Sequence, residues 1–488
     1  MRHLTHLFVV LAAALCAAVS CMKDEDYTTS PADALSFSRD TLAFDTVLSG
    51  EPTSTATLTV YNRNGKAVRI PSVRLGKGAE SPFAVTVDGT PLRDGTAADF
   101  EIASNDSMVV FAMAKLPYTD SDTPVPAEDE VVFTTEAGRE QSVALRAVGL
   151  DAVTLPAGLR VTRDTVIAAA RPVRVRDSIV VEEGATLTLA AGTRLLFHSK
   201  AQLTVRGTLV VAGTREKPVV LRGDRTDNMF NGQPYDRIPG QWGGVTLAGS
   251  SYGNVISYAD IHSGTWGVRV DSSDVTRSKL VIENSVIHNT QQNGLDVRMA
   301  QVTAGNCQFT NAGGDCVRVL GGDVQMVHCT IARFYVFTGG SGVALNFANY
   351  DGRVTLPLSR LAVYNSIVTG YAADELMGAQ STDNTAADFK CGFYNCLINT
   401  ADNEETKKFF SNCLLDNGEG GTVSGEKNFT PDFDTSSLQF SFGLSPSSRA
   451  VGAADATVSA LTYPTDPLGR SRTGDSTPDM GCYQHEAK

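Results

Sequence analysis

The sequence predicts an all-β chain in which a sandwich of short strands precedes a coil of stacked parallel strands. Before residue 151, short segments alternate apolar and polar residues at period two, as strands with one buried face do. In the second half, a phrase recurs with a polar residue first, a small one next and an aliphatic residue or Phe last. A repeat near 22 residues is typical of solenoids built from short strands. Its copies begin at Asn284, Asn306, His328, Asn365, Asn395 and Asn412.

The composition suits a turn-rich β protein with more than one domain. The chain has 488 residues, including 44 glycines, and only 7% of its residues are aromatic, so two or more cores are expected. Its net charge is −13. Affinity for nucleic acid requires clustered cations, and we therefore expect no nucleic-acid partner.

The first 20 residues have the features of a signal peptide. Arg2 precedes an apolar run, residues 7–19, that is too short to span a bilayer. The run ends in small residues before Cys21, which resembles the lipoprotein box of bacteria. That resemblance implies that Cys21 carries the lipid, including palmitate, and the alternative is an ordinary secretory signal. A Lys followed by acids at residues 22–26 resembles the surface-export tag of Bacteroidetes lipoproteins, which implies a lipid anchor in the outer membrane and display at the cell surface.

After a polar tether, residues 21–34, the segment 35–151 predicts a sandwich of about seven strands. The stretch from Leu58 to Gly65 and the closing Gly149-Leu150-Asp151 resemble immunoglobulin-like (Ig-like) modules of the spindle-protein and sperm-protein type. The resemblance implies a spacer or a binding platform, without a catalytic set.

Residues 152–430 predict the coil. Short alternating segments lie at residues 180–197 and 203–214, and a Trp-Gly-Gly phrase begins at Trp242. These stretches resemble the opening of right-handed parallel β-helix proteins, the group that includes pectate lyases. We expect the second residue of each repeat to face inward and the leading Asn to lie at a turn, because Asn tolerates left-handed backbone angles.

Seven cysteines follow residue 300, and none has the paired Cys-x-x-Cys spacing of a zinc site. Four of them share the second position of the repeat, where we expect buried thiols, with a disulfide between neighbouring coils as the alternative. These seven are Cys307, Cys316, Cys329, Cys391, Cys396, Cys413 and Cys482.

Longer gaps between the repeats predict insertions, at residues 222–240, 333–360 and 371–392. Insertions in solenoids often carry binding surfaces. Residues 431–488 resemble the closing segment of bacterial parallel β-helix proteins, which implies a C-terminal cap over the open end of the coil.

The pectate-lyase resemblance raises the question of catalysis. Hydrolysis requires two carboxylates on one face, and elimination requires a base beside a calcium site. Gly313-Gly314-Asp315-Cys316 resembles the acidic phrase of polygalacturonases, but the other phrases of that family are absent. No catalytic residue is therefore assigned.

A row of arginines is the candidate ligand site. Arg269, Arg298 and Arg318 each follow a valine on successive predicted coils, so we expect them to point outward in one row. Guanidinium groups at coil spacing could bind a uronic or sulfated glycan. The alternative is a solvated face with arginine–aspartate pairs. The other candidate residues are Asp296, Asp315 and Trp266, the last as a sugar-stacking platform.

His262 and His288, with Asp260 beside the first, are expected to stack outward on neighbouring coils. Such a group can bind a metal or act in acid–base chemistry. We nevertheless expect no metal and no cofactor, with calcium as the one alternative.

Together these observations predict a surface lipoprotein that binds a glycan or a surface-protein partner without catalysis. A polysaccharide lyase or glycoside hydrolase acting on a uronate-containing glycan is the first alternative. A structural subunit of an outer-membrane complex is the second.

Overall fold

The structure is a computed structural model, and it describes residues 26–230, 233–337, 339–383, 387–416, 425–430, 438, 440–474 and 477–485. The chain divides into two compact units, Met1–Leu150 and Asp151–Lys488. The predicted signal segment, Cys21 and the first part of the tether lie outside the described residues.

The first unit consists of two five-stranded sheets in its described part. One sheet, in spatial order, comprises β1 (Leu35–Phe37), β3 (Ala56–Asn62), β8 (Ser107–Ala114), β5 (Phe83–Val87) and β6 (Thr90–Pro91). The other comprises β2 (Thr41–Leu48), β10 (Glu140–Leu150), β9 (Val125–Thr134), β4 (Val68–Leu75) and β7 (Thr96–Ile102). All pairings are antiparallel except β2 with β10. The ten strands exceed the seven expected.

The end of the predicted tether packs on this unit instead of extending from it. Tyr27 bridges to Ala67, and its hydroxyl bonds the carboxylate of Glu101. The guanidinium of Arg69 lies 3.8 Å from the centroid of the Tyr27 ring. The cation on the ring face and the carboxylate at the hydroxyl hold Tyr27 against the first unit.

The described part of the second unit is a coil with three parallel sheets, which the chain visits in turn. The predicted all-β fold with a parallel β-helix is confirmed. Sheet I comprises β11 (Val153–Thr154), β14 (Val173–Val175), β17 (Arg194–Phe197), β20 (Val219–Gly223), β25 (Ala259–His262), β28 (Val286–Thr290), β31 (Gln308–Ala312), β34 (Thr330–Arg333), β39 (Ile367–Gly370), β42 (Leu397–Ile398) and β44 (Leu414–Leu415). Sheet II comprises β12 (Arg160–Val161), β15 (Ile179–Val181), β18 (Leu203–Val205), β23 (Val245–Leu247), β26 (Val268–Val270), β29 (Leu295–Arg298), β32 (Val317–Leu320), β35 (Leu345–Ala348) and β40 (Leu376–Ala379). Sheet III comprises β13 (Thr165–Ile167), β16 (Thr186–Ala190), β19 (Thr208–Ala212), β24 (Asn254–Ser257), β27 (Ser278–Glu283), β30 (Gln301–Gly305), β33 (Gly322–Val327), β38 (Leu358–Tyr364), β41 (Phe389–Tyr394) and β43 (Phe410–Ser411).

The repeated phrase forms the corner between sheets III and I. All six leading residues have left-handed backbone angles, with φ between 49° and 54°, so the predicted role of the asparagines at turns is confirmed. The side-chain amide of Asn306 donates to the side-chain oxygen of Asn284 at 3.0 Å. His328 takes the same place in its coil, and Asn365 bonds its Nε2 at 3.2 Å.

The second residue of each repeat faces the interior. Ser285, Cys307, Cys329 and Cys396 are fully buried, and the seven cysteines of the described residues are all free thiols. These four residues form a buried interior file, and the predicted inward orientation of the second repeat position is confirmed. Each aliphatic side chain that points from a strand into the interior of the coil stabilises the fold by about 1.5–3 kcal/mol when it is fully buried.

The described part of the C-terminal segment packs against the side of the coil, which differs from the predicted cap over its end. Arg472 donates to the side-chain oxygen of Asn306, and the side-chain amide of Asn365 donates to the carbonyl of Asp455. Several outward side chains of sheet I in these later coils, such as that of Ile367, are apolar. The C-terminal segment packs on them and shields them from solvent.

The remaining elements are short. Among the described residues no helix is both long enough and apolar enough to cross a membrane. The predicted insertions 333–360 and 371–392 each contain a strand of sheet II, so the coil continues through them. The small elements are the hairpins β21 (Asn228–Phe230) with β22 (Gln233–Pro234) and β36 (Tyr350–Asp351) with β37 (Val354–Thr355), the α-helices Glu404–Lys407 and Ala456–Thr462, and the 3₁₀ turns Gly78–Glu80, Tyr235–Arg237 and Gly425–Asn428.

Candidate functional site

A cleft of about 550 Å³ lies over the outer face of sheet I. Its floor contains polar side chains from two adjacent strands. His288 and Thr310 are in register on β28 and β31, and Gln308 lies two residues before Thr310. The amide of Gln308 donates to the hydroxyl of Thr310 at 3.0 Å, which fixes the carbonyl of Gln308 toward Tyr483.

The walls of the cleft come from distant parts of the chain. One wall is the insertion 222–240, which contributes Arg237. Asn289 holds this wall to the floor, because its side-chain amide donates to the carbonyl of Arg237 at 3.0 Å. The opposite wall is the C-terminal segment, with Phe440 and Tyr483.

Tyr483 joins the second wall to the floor. Its hydroxyl donates to the side-chain oxygen of Gln308 at 3.0 Å. A volume of this size, with aromatic walls and a few fixed polar groups, falls within the range of small-molecule sites. The cleft can hold a polar ligand with flat apolar faces.

An acid–histidine cluster lies at the edge of the cleft. The same carboxylate oxygen of Asp260 is 2.8 Å from Nδ1 of His262 and 3.1 Å from Nε2 of His288. The two imidazole rings stack with centroids 4.7 Å apart. They stack because β25 and β28 pair in register, which places His262 beside His288 on neighbouring coils.

Burial and mutual contact shift the pKa values of Asp260 and His262 in the cluster. Burial opposes ionisation of Asp260, but the two histidines outweigh it and hold the pKa of that carboxyl well below its usual value. Burial lowers the pKa of His262, although Asp260 acts in the opposite direction. A neutral imidazole beside an ionised carboxylate is the expected state at neutral pH.

A partly buried cation adjoins this cluster. Arg222 follows the part of β20 that pairs with β25, and it bonds a carboxylate oxygen of Asp236 at 2.9 Å. Burial lowers the pKa of Arg222, while Asp236 and Asp260 oppose that shift. The insertion therefore supplies both a wall of the cleft and a counter-ion near the cluster.

The predicted arginine row does not form a single file. Arg269 aligns with Asp296, and Asp296 with Arg318, on successive strands of sheet II. Arg298 lies two residues further along its strand and pairs with Asp351. The expectation of one row was wrong because Arg298 lies two residues away from the register position that Arg269 and Arg318 share, and Asp296 occupies that position between them.

Two other candidate residues on this side of the coil, Arg318 and Asp315, form hydrogen bonds within the protein. Arg318 bonds both carboxylate oxygens of Asp296, at 2.8 and 2.9 Å. Asp315 accepts from the backbone amide of Val343 and the side-chain amide of Asn346, both at 3.0 Å.

Trp266 is half-buried, and the guanidinium of Arg269 lies 4.9 Å from its ring centroid. Trp242, by contrast, is buried against Phe197, with ring centroids 4.3 Å apart. Binding by the sheet II residues stays a prediction.

Sequence reasoning did not find the cleft. It identified the histidine pair and the insertion separately, because their positions in the repeat are visible in the sequence. Nothing in the sequence brings Tyr483 to Gln308, which lies 175 residues earlier. The one available signal was the length of the insertion at residues 222–240, which precedes the two strands that carry the histidines.

Neither a protein-family model nor a curated protein sequence matches the chain. Among solved structures, the catalytic unit of a GH87 alpha-1,3-glucanase from Streptomyces thermodiastaticus is 12% identical, with a TM-score of 0.29, and the alignment covers 75% of this chain and 87% of that chain. A family 123 glycoside hydrolase from Clostridium perfringens is 9% identical, with a TM-score of 0.19, and only 26% of each chain is covered. An ASH/PapD-like domain of human CEP192 is 16% identical, with a TM-score of 0.17, over 25% of this chain and 87% of that domain. These similarities assign no activity or ligand to the chain.

Proposed function

We propose that the chain binds a uronate-containing glycan in the cleft over sheet I. The observation that carries the proposal is the meeting of Arg237, Gln308 and Tyr483 around one cavity of about 550 Å³. A guanidinium group pairs with a carboxylate through directed hydrogen bonds. Amide and hydroxyl groups suit the hydroxyls of a sugar, and aromatic walls suit its apolar faces.

The charge of the cleft favours an acidic ligand. Its described lining residues include Arg237 and His288 but neither Asp nor Glu. An acidic sugar therefore meets no like charge from the described residues that line the cavity, and the nearby carboxylate of Asp260 is paired with both histidines. A neutral glycan would gain the same stacking and hydroxyl contacts without the ion pair.

The test compares an oligogalacturonate with its fully methyl-esterified form, by titration calorimetry on the full chain. The two ligands share one backbone and differ in carboxylate charge. Arg237→Ala is expected to weaken binding of the acid form about tenfold, equivalent to about 1.4 kcal/mol, and to leave the ester unchanged. Gln308→Ala is expected to weaken both forms.

Arg298→Ala on sheet II is the matched control and should bind both forms as the unaltered chain does. Loss of binding in Arg298→Ala, with full retention in Arg237→Ala and Gln308→Ala, would move the site to sheet II. Absence of binding to this ligand and to a panel of other uronans would overturn the proposal.

The acid–histidine cluster gives a lyase as the second candidate. Elimination requires a base near the sugar carbon that loses a proton, and His288 lines the cleft. The two-carboxylate arrangement of hydrolases is missing from the described lining residues. Ultraviolet absorbance from an unsaturated uronate, lost in His288→Asn, would favour the lyase over simple binding.

Lipid attachment at Cys21 and display at the outer-membrane surface belong to the same proposal. They rest on the sequence alone, since Cys21 lies outside the described residues. A single acyl chain binds membranes only weakly, whereas several chains anchor stably. Cys21→Ser should abolish labelling by a palmitate analogue and release the protein from membranes, and unchanged fractionation would contradict the anchor.

A further inference from the structure

Three donor atoms converge near the edge of the cleft. Nδ1 of His262 and Nε2 of His288 both point at one carboxylate oxygen of Asp260, at 2.8 and 3.1 Å. The three donor atoms lie within 4.8 Å of one another, and this is the only group of three or more His, Cys, Asp or Glu of that kind in the described part of the chain.

These separations are close to those of a shared metal ion. Zinc binds imidazole nitrogen and carboxylate oxygen at about 2.0–2.2 Å, so two ligand atoms in a tetrahedral site lie about 3.3 Å apart. To admit an ion, the nitrogen–oxygen distances at Asp260 need to lengthen by a few tenths of an ångström, and the two nitrogens, which lie within 4.8 Å of each other, need to approach.

The coil holds the donors in place. His262 and His288 each follow a fully or almost fully buried isoleucine, Ile261 or Ile287, whose side chain is anchored in the core. The register between β25 and β28 then fixes the two rings above one another. A site on paired strands needs little ordering when it binds an ion, which favours affinity.

We propose that Asp260, His262 and His288 form a three-ligand site for a divalent transition metal of the zinc type. Two imidazoles exclude calcium and magnesium as preferred ions, because those bind oxygen ligands. Two histidines with one carboxylate and a fourth position for water or a ligand oxygen are typical of zinc. The site revises the expectation of no metal, and it does not depend on the glycan proposal.

The position of the site connects it to the cleft. His288 belongs both to the cluster and to the floor of the cleft. An ion held there adds positive charge at one end of the cavity, opposite in sign to an acidic ligand. Oxygen atoms of that ligand can take the fourth position.

The test is a titration of the full, untagged chain with Co²⁺, followed by its visible absorption, with zinc content measured by mass spectrometry after dialysis. We expect one equivalent of metal. His262→Asn and His288→Asn should each weaken binding at least about a hundredfold, because losing a residue that only orients a metal ligand already costs about 10–100-fold.

His198→Asn is the matched control. His198 also bonds a carboxylate, that of Asp224 at 2.9 Å, but among the described residues it belongs to no group of three such ligands. This variant should retain the metal. Tryptophan fluorescence of Trp242 and Trp266 reports whether each variant is folded.

Absence of a cobalt spectrum in the unaltered chain would overturn the site and leave a purely hydrogen-bonded cluster. Binding that persists in folded His288→Asn would also overturn it. A sulfur-to-cobalt charge-transfer band would do the same, because it would place the metal on cysteines. Zinc binding without glycan binding would support this site and contradict only the proposed function.

Discussion

The guanidinium of Arg472 donates a 2.9 Å hydrogen bond to the side-chain oxygen of Asn306, which lies 166 residues earlier in the chain. Asn306 in turn donates to Asn284 on the preceding coil and to the carbonyl of Thr465. The corner of the coil and the C-terminal segment are therefore joined at one buried residue. This joint places Tyr483 over the cleft floor.

Arg472→Met should destabilise the second unit by about 2–4 kcal/mol. The arginine is 1% exposed, and hydrogen bonds from charged donors are worth about 1.5–3 kcal/mol. Its loss leaves the oxygens of Asn306 and Cys482 unpaired. Chemical unfolding followed by tryptophan fluorescence measures the effect, because both tryptophans belong to this unit.

Arg470→Met is the control for that change. Arg470 is half-buried, and it donates to the carbonyl of Gln484 at 2.9 Å. We expect a smaller loss than at Arg472, about 1–1.5 kcal/mol at the lower end for a charged donor, because the half-buried guanidinium keeps part of its hydration. Equal effects of the two substitutions would show that Arg472 has no special role at the joint.

Asn306→Ala and Asn306→Gly separate the two functions of the asparagine. Its φ is 52°, a left-handed angle that costs an ordinary residue about 1–2 kcal/mol but costs glycine little. Both variants lose the side-chain bonds. The alanine variant should therefore unfold at lower denaturant concentration, with a difference of about 1 kcal/mol. Identical stabilities would mean that the turn relaxes.

Position in the repeat determined how much could be predicted. The corner at Asn306 was predictable, because polar residues recur before each inward small residue. A second corner, five residues later, was missed. Asn289 and Asn311 have φ of 51° and 56° there, and Ser263 has 61°. Its residue types vary from coil to coil, so no phrase reveals it.

The contacts of the site were not predictable for a different reason. The histidine pair follows from register within the repeat, which is local information. The cleft forms because the C-terminal segment packs on the outer face of sheet I. There it shields apolar side chains such as that of Ile367 from solvent. That requirement appears only after the faces of each strand are known.

Thiol reagents should discriminate among the seven cysteines of the second unit. Burial raises the pKa of Cys316 and Cys329 to about 12, and a thiol reacts as its thiolate. Cys413 is partly exposed, and a hydrogen bond with Cys396 lowers its pKa. Peptide mapping after brief alkylation of the folded chain should find Cys413 modified first.

Denaturant is the control for thiol labelling, since it should expose all seven thiols at similar rates. Cys413→Ser should remove the fast phase. Rapid labelling of Cys329 in the folded chain would contradict the buried interior file.

Glu375 should make the stability of the coil fall as pH rises from about 4.5 to about 7. Its side chain is fully buried, and burial raises its pKa from 4.5 to about 7, although the backbone amides of Ala372 and Ala344 donate to it at 2.8 Å. In that interval the folded state holds a proton that the unfolded state has released, so raising the pH favours unfolding. The full shift corresponds to at most about 3 kcal/mol, and both states are ionised above it.

Comparison with Glu375→Gln isolates this carboxyl from other titrating groups. The buried histidines act in the opposite direction, because burial lowers the pKa of His262 and His328, so their contribution to stability rises with pH. The variant keeps the histidines and lacks the titration at residue 375. The unfolding free energy of the unaltered chain minus that of the variant, measured by tryptophan fluorescence from pH 5 to about pH 8, should therefore fall as pH rises toward 7. Curves that stay parallel would show that Glu375 is ionised throughout, with its two amide donors outweighing its burial.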